Sequence, residues 1–147
     1  MMIRLAKRED LPAIHALVRD LAIYEKAEKE FVAGLEDYYR DFDCGIFEAL
    51  VAEVQGEIVG MALYYMAYST WKGRMLYLED FVVKASMRGR GIGEKLFRAF
   101  LAKAEKKGCR LVKWQVLDWN EPAIRFYKKF GALIEEEWLN GKIFLSS

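Results

Sequence analysis

The chain has 147 residues, 54% of them hydrophobic and 14% aromatic, which is enough for one domain around one core and too apolar for a disordered chain. A net charge of +1 provides no global field for nucleic acid or an anionic membrane, so any anion must be held by local groups. The start "MMIRLAKRED" has no apolar leader core, and the longest apolar stretch, "IVGMALYYMAY", is far short of the roughly 18 residues of a membrane span. A cytoplasmic protein with neither a membrane nor a nucleic-acid partner is therefore expected.

In chain order, "MIRLA" reads as a short strand. From about Asp10, the spacing of Leu11, Ile14, Leu17, Val18 and Leu21 predicts a helix, with Asp10 as its cap and Pro12 in its first turn. "LEDYYRDF" predicts a second, shorter helix. "FEALVAEV", the turn "QGE" and "IVGMALYYMAYS" predict an antiparallel hairpin, and "MLYLEDFVV" a further strand. Leu96, Phe97, Phe100, Leu101 and Ala104 then mark an amphipathic helix that Gly108 stops. "RLVKWQVLD" reads as a buried strand, and "NEPAIRFYKKFG" as a short helix between Pro122 and Gly131. "ALIEEEWLNGKIFLS" predicts a closing hairpin on an Asn140-Gly141 type I′ turn. The order is β-α-α-β-β-β-α-β-α-β-β, an α/β chain on one sheet. Cys44 and Cys109 lack metal or disulfide spacing and read as small buried thiols. No repeat or linker breaks the chain, so one domain over 1–147 is expected, without a metal.

Between the "LYLEDFVV" strand and the long helix lies "MRGRGIG", Met87 to Gly93, where glycines alternate with Arg88 and Arg90. A glycine-rich turn leading into a helix makes an anion site, because orphan backbone N–H groups and the helix dipole converge there. The dinucleotide pattern GxGxxG fails at Glu94, and the P-loop pattern is absent. Arg-x-x-Gly-x-Gly, on Arg88, Gly91 and Gly93, fits.

That motif resembles the pyrophosphate loop of the GNAT superfamily of acetyl-CoA-dependent N-acetyltransferases. With "LAIYEK", "LYLEDFVV" and "LDWNEPAIRFYKKFGA" in order and at matching separations, the chain is similar, from about Ile3 to Phe144, to the spermidine/spermine (diamine) N-acetyltransferase branch. The resemblance implies a GNAT fold: one mixed, mostly antiparallel twisted sheet flanked by helices, with splayed central strands. It also implies acetyl-CoA as donor, with pantetheine along the backbone of Phe81, Val82 and Val83. The pyrophosphate would sit on Arg88, Gly89, Arg90, Gly91, Ile92, Gly93 and Glu94. Asn120, Glu121, Pro122 and Ala123 match the segment at the cofactor's lower half, and Tyr127 matches the tyrosine that protonates the departing thiolate.

On the acceptor side, a primary amine with pKa near 10.4 must lose a proton, at about 4–5 kcal/mol at pH 7. The single histidine, His15, reads as a surface or helix-flank residue. Glu79 matches the family's base acting through water, and Asp80 lies beside it. Neighbouring strand residues point to opposite faces, so a β-bulge is expected to bring both carboxylates to one cleft. Tyr24 and Glu25 match the acceptor-binding pair, with Glu28 adding negative charge. The resemblance implies direct acetyl transfer to a small primary amine, a polyamine, diamine or lysine analogue such as thialysine, in a homodimeric enzyme. A peptide-amine acetyltransferase and a non-catalytic CoA sensor are the alternatives. Read singly, Tyr127 is core beside Ala123, Ile124 and Phe130, Glu79 is a solvent-facing strand residue, and Asn120 is a helix cap. Trp71, Trp114, Trp119 and Trp138 read as core or dimer contacts, and Glu135 to Glu137 as a solvated strand edge.

Overall fold

The structure is a computed structural model and describes residues 1–145. Its packing forms two units, Met1–Gln115 and the stretch from Val116 on. The first unit holds a sheet of β1 (Met2–Leu5), β2 (Glu48–Val54), β3 (Glu57–Ser69), β4 (Gly73–Val83) and β5 (Leu111–Trp114), neighbours in that order. The first four strands pair antiparallel, and β5 joins β4 in parallel. α1 (Leu11–Tyr24) and α2 (Leu35–Asp43) precede β2, and α3 (Ile92–Lys106) crosses from β4 to β5. Parallel neighbours cannot be joined by a tight turn, and α3 supplies the length that the crossover needs.

Side-chain alternation gives each face of the sheet its own core. Val51, Met61, Leu63 and Val82 cluster with Leu11, Ile14 and Leu17 of α1, while Ala52 and Val59 cluster with Ile92 of α3. On the α3 side, Tyr64 meets Phe100 and Phe81 meets Phe97, each with ring centroids 5.6 Å apart. Ile92, Leu96, Phe97, Phe100 and Ala104 form the buried stripe of α3. Truncating Phe97 or Phe100 to alanine costs about 3–5 kcal/mol at such fully buried positions.

The ladder between β4 and β5 covers only Met75–Leu78 against Leu111–Trp114. Beyond it β4 continues from Glu79 to Val83 with no ladder to β5, which ends at Trp114. The tight turn between β2 and β3 also forms, with Gln55 and Gly56 both at positive φ, 51° and 80°. Gly108, at φ 77°, ends α3 as expected.

In the second unit, α4 (Glu121–Lys129) starts where predicted. Asn120 Oδ1 accepts the Ala123 N–H at 3.4 Å, Pro122 lies in the first turn, and Gly131 follows the end at φ 80°.

Several expectations are corrected. Residues 132–145 form no strand, and Ser146 of the predicted hairpin lies outside the described residues. Neither Asn140 nor Gly141 has the positive φ that a type I′ turn requires, and a two-stranded hairpin is marginal unless a sheet receives it. Glu135 to Glu137 are solvated, but not on a strand. The strand expected over "RLVKWQVLD" is confined to Leu111–Trp114. Asp10 gives α1 no side-chain cap. Its carboxylate instead takes the Lys7 N–H at 2.7 Å and pairs with Arg4 at 2.7 Å. Cys44 is exposed and Cys109 half-buried. Trp71 and Trp138 are exposed, whereas Trp114 packs on Phe97 with centroids 5.6 Å apart.

Candidate active site

The predicted bulge is present on β4. Leu63 pairs with Asp80 and Tyr64 pairs with Leu78, so Glu79 is the extra residue between two ladder steps. Leu78 therefore stays on the side of Tyr64 and α3, while Asp80 joins Leu63 and Tyr77 on the side of α1 and α2. Glu79, at the kink, is exposed, and its Oε1 accepts a 3.3 Å hydrogen bond from the Tyr65 hydroxyl.

Three carboxylates converge here. Burial pushes the half-buried Asp80 carboxyl up to about 7, and the nearby charges of Glu79 and Glu25 push it the same way. Burial also raises the Glu25 carboxyl at the end of α1. None of the three enters an ion pair of the described residues. Such a cluster repels its own charge and attracts a cation. Glu28, also expected to add charge there, instead faces Arg19 at 3.8 Å.

The glycine loop lies where β4 runs into α3. Gly91 is the N-cap of α3 in the left-handed region at φ 78°, and Gly89 has φ 77°. Nothing lies within 4 Å of where a Cβ would stand on either residue, so the backbone stays open to an approaching anion at the N-terminus of a long helix. Arg88 donates Nε–H to the Val83 carbonyl at 3.3 Å, and its guanidinium lies 5.7 Å from the Tyr24 ring centroid. Arg90 is exposed, Glu94 pairs with Arg98 at 3.0 Å, and Gly93 lies in the first turn of α3. Ile92 turns its side chain into the core, which leaves its backbone for the loop. A cleft of about 510 Å³ opens between α1 and this segment, lined by Asp20, Tyr24, Val82, Val83, Ser86 and Arg88 among others. The groups present suit a pyrophosphate: open glycine backbone, a helix N-terminus and two arginines.

The Acetyltransferase (GNAT) family matches residues 11–132. The chain belongs to the GNAT acetyltransferase family. It is an N-acetyltransferase. The thialysine N-epsilon-acetyltransferase of Bos taurus is 43% identical over 142 residues, covering 90% of this chain and 84% of that protein. The spermidine/spermine N(1)-acetyltransferase-like protein 1 of Homo sapiens is 34% identical over 148 residues, covering 92% of this chain and 21% of that longer one. An aminoglycoside acetyltransferase from an uncultured soil metagenomic sample shares the fold, with a TM-score of 0.81 at 23% identity, covering 99% of this chain and 96% of that one.

The GNAT site residues expected from the sequence divide between the two units. Glu25, Glu79 and Asp80 meet in the first unit, which also holds Tyr24, Phe81, Val82, Val83 and the loop from Arg88 to Glu94. Tyr24 and Glu25, expected to act together, diverge at the end of α1: the Tyr24 ring lies near Arg88 and the Glu25 carboxylate near Asp80. Asn120 to Ala123 and Tyr127 belong to the second unit. There Tyr127 is 7% exposed, and its ring packs on Phe126 with centroids 5.6 Å apart.

Three tyrosines beside the carboxylates were not singled out from the sequence. Tyr38 of α2 is half-buried, and its hydroxyl is pushed up to about 12 by burial and by the charges of Asp80 and Glu79. Tyr65 and Tyr77 stack at 5.3 Å as cross-strand neighbours on β3 and β4. The tyrosine-rich β3 run was the available signal, but only the register selects which of its rings face the carboxylates. His15, expected as a surface or helix-flank residue, is half-buried, and its Nε2 lies 3.0 Å from the Ala33 carbonyl.

Proposed function

We propose that this chain transfers acetyl from acetyl-CoA directly to a small primary amine, such as a polyamine, a diamine or a lysine analogue like thialysine, in a ternary complex. The observation that carries this reading is the bulge at Glu79, which groups Glu79, Asp80 and Glu25 without a cationic partner. An acidic cluster beside tyrosine rings suits an alkylammonium, through charge and through cation–π contact. Its similarity to thialysine N-epsilon-acetyltransferases supports the same class of acceptor.

Acetyl-CoA, when bound, supplies an activated thioester carbonyl. Arg88, Arg90 and the backbone of Gly89 to Gly93 would hold its pyrophosphate, and Phe81 to Val83 would align its pantetheine. Asp80, pushed up to about 7, is matched to accepting the amine's proton near neutral pH. Glu79 orients the water through which that proton passes and raises the basicity of Asp80. The Tyr127 hydroxyl gives a proton to the thiolate as it leaves. No residue of the chain needs to carry the acetyl group, since Cys44 and Cys109 belong to none of these segments.

We also take the enzyme to be a homodimer. Leu133, Trp138, Leu139, Ile143, Phe144 and Leu145 are exposed, and apolar surface of that kind is commonly covered by a partner. Sedimentation of the purified chain tests this, and a monomer refutes it.

The test of function is CoA thiol release against spermidine, spermine, putrescine, lysine, thialysine and a lysine-bearing peptide, with product masses measured. Turnover of small amines supports the reading, and preference for the peptide replaces it with a peptide-amine enzyme. Silence on every amine, with acetyl-CoA bound, replaces it with a CoA sensor.

A further inference from the structure

The connection between α1 and α2, residues 25–34, begins with Glu25 of the carboxylate cluster. Its Glu28–Glu30 turn is a single short 3-10 turn, and Glu28, Lys29 and Glu30 are exposed. A segment with so little buried surface has little packing of its own to hold it in place. His15, one turn into α1, contacts it twice. Nε2 reaches the Ala33 carbonyl at 3.0 Å, and the ring tilts against Phe31 with centroids 4.8 Å apart. The third contact is with Tyr38 of α2, edge-on at 4.9 Å and 79°. Backbone bonds hold the first residues of the connection to α1, the Ala27 N–H to the Ala22 carbonyl at 2.8 Å among them, and beyond them Arg19 to Glu28, at 3.8 Å between two well-exposed side chains, adds a loose tie that is worth little.

We propose that His15 is a positioning residue for the amine acceptor: it clips the α1–α2 connection to α1 and steadies the Tyr38 ring, which packs on the core cluster containing Leu63, the residue opposite Asp80. The bond to Ala33 needs a hydrogen on Nε2, which one neutral tautomer carries. Tyr38 is the link to the site. Its hydroxyl feels the charges of both Asp80 and Glu79, and the edge-on contacts from His15 and from Phe47, with centroids 4.9 and 5.9 Å away, together set the plane of its ring. The effect belongs to amine binding, because His15 approaches neither the glycine loop nor the lining of the cleft beside it.

The inference rests on the acceptor-site reading above, and steady-state kinetics separate the two. With whichever amine the wild-type chain acetylates, His15→Ala should raise the amine KM about five- to ten-fold, the scale of one lost hydrogen bond with its ring contacts. The acetyl-CoA KM and kcat should stay within about two-fold. His15→Gln, which keeps an N–H for Ala33, should recover part of the loss. Because His15 acts through Tyr38, its removal should add little in a Tyr38→Ala background. An unchanged amine KM in His15→Ala, an equal rise in both KM values, or additive effects in the double variant each overturn the role of His15 and leave the acceptor site standing. A wild-type chain that neither acetylates nor binds any amine overturns both.

Discussion

Asp80 stands opposite Leu63, one residue out of step with the ladder that pairs Leu78 with Tyr64. That slip turns a carboxylate that simple alternation would leave beside Leu78, over α3, onto the face shared with α1 and α2. There it meets Glu25 and Tyr38, and its affinity for protons rises.

Asp80→Asn should lower kcat by roughly 10²–10⁴-fold, the range for a lost general base. In the wild type, activity should rise as pH passes through about 7, and in the variant that limb should vanish. A variant with the wild-type kcat and pH profile removes Asp80 from proton transfer.

The same substitution makes a stability prediction of definite sign. Asp80 binds its proton more tightly folded than unfolded, so ionising it opposes folding. The penalty is absent below the usual carboxylate range, grows as pH rises toward about 7, and is fully present above it. Asp80→Asn should therefore raise Tm at pH 8, where the penalty is at most roughly 4 kcal/mol at 1.36 kcal/mol per pH unit, and leave it nearly unchanged at pH 4. Thermal melts at the two pH values decide this, and a lower Tm at pH 8 contradicts it.

Glu79→Gln should move the acidic limb of the pH profile to lower pH, because one of the charges raising the Asp80 carboxyl is gone. Activity should persist on the alkaline side. If the variant is instead inactive at every pH while still binding acetyl-CoA, Glu79 itself is the base.

For the loop, Arg88→Ala should weaken acetyl-CoA binding about ten-fold or more, in line with a lost charge-assisted contact, and leave the amine KM in place. Gly91→Ala should weaken it too, since alanine at φ 78° is strained by about 1 kcal/mol and places a methyl group in the open cradle. Calorimetry with CoA reads both variants, and intact affinity in the pair refutes the pyrophosphate assignment.

Tyr127→Phe keeps the ring that packs on Phe126 and removes only the hydroxyl. It should preserve folding and acetyl-CoA affinity while lowering kcat by about 10²–10⁴-fold. Unchanged turnover would take Tyr127 out of the mechanism.

What the sequence determined by itself is local. The buried stripe of α3 follows from its spacing, Gly108 and Gly131 stop helices because they tolerate positive φ, and Asn120 caps α4 because its side chain reaches the Ala123 N–H. The arginine–glycine loop was equally legible, since a strand, a run of glycines and a helix start are contiguous in the chain. Only the tertiary structure decided the rest. Which residue the bulge leaves over depends on how β4 registers against β3, and the raised affinity of Asp80 for protons depends on Glu25, brought up by a separate helix. His15 read only as a surface or helix-flank residue because Phe31, Ala33 and Tyr38, which it contacts, come together only once α1 and α2 pack. The Asn140-Gly141 signal failed for the same reason in reverse: turn residues permit a hairpin, but strands form only where a neighbouring strand accepts their hydrogen bonds.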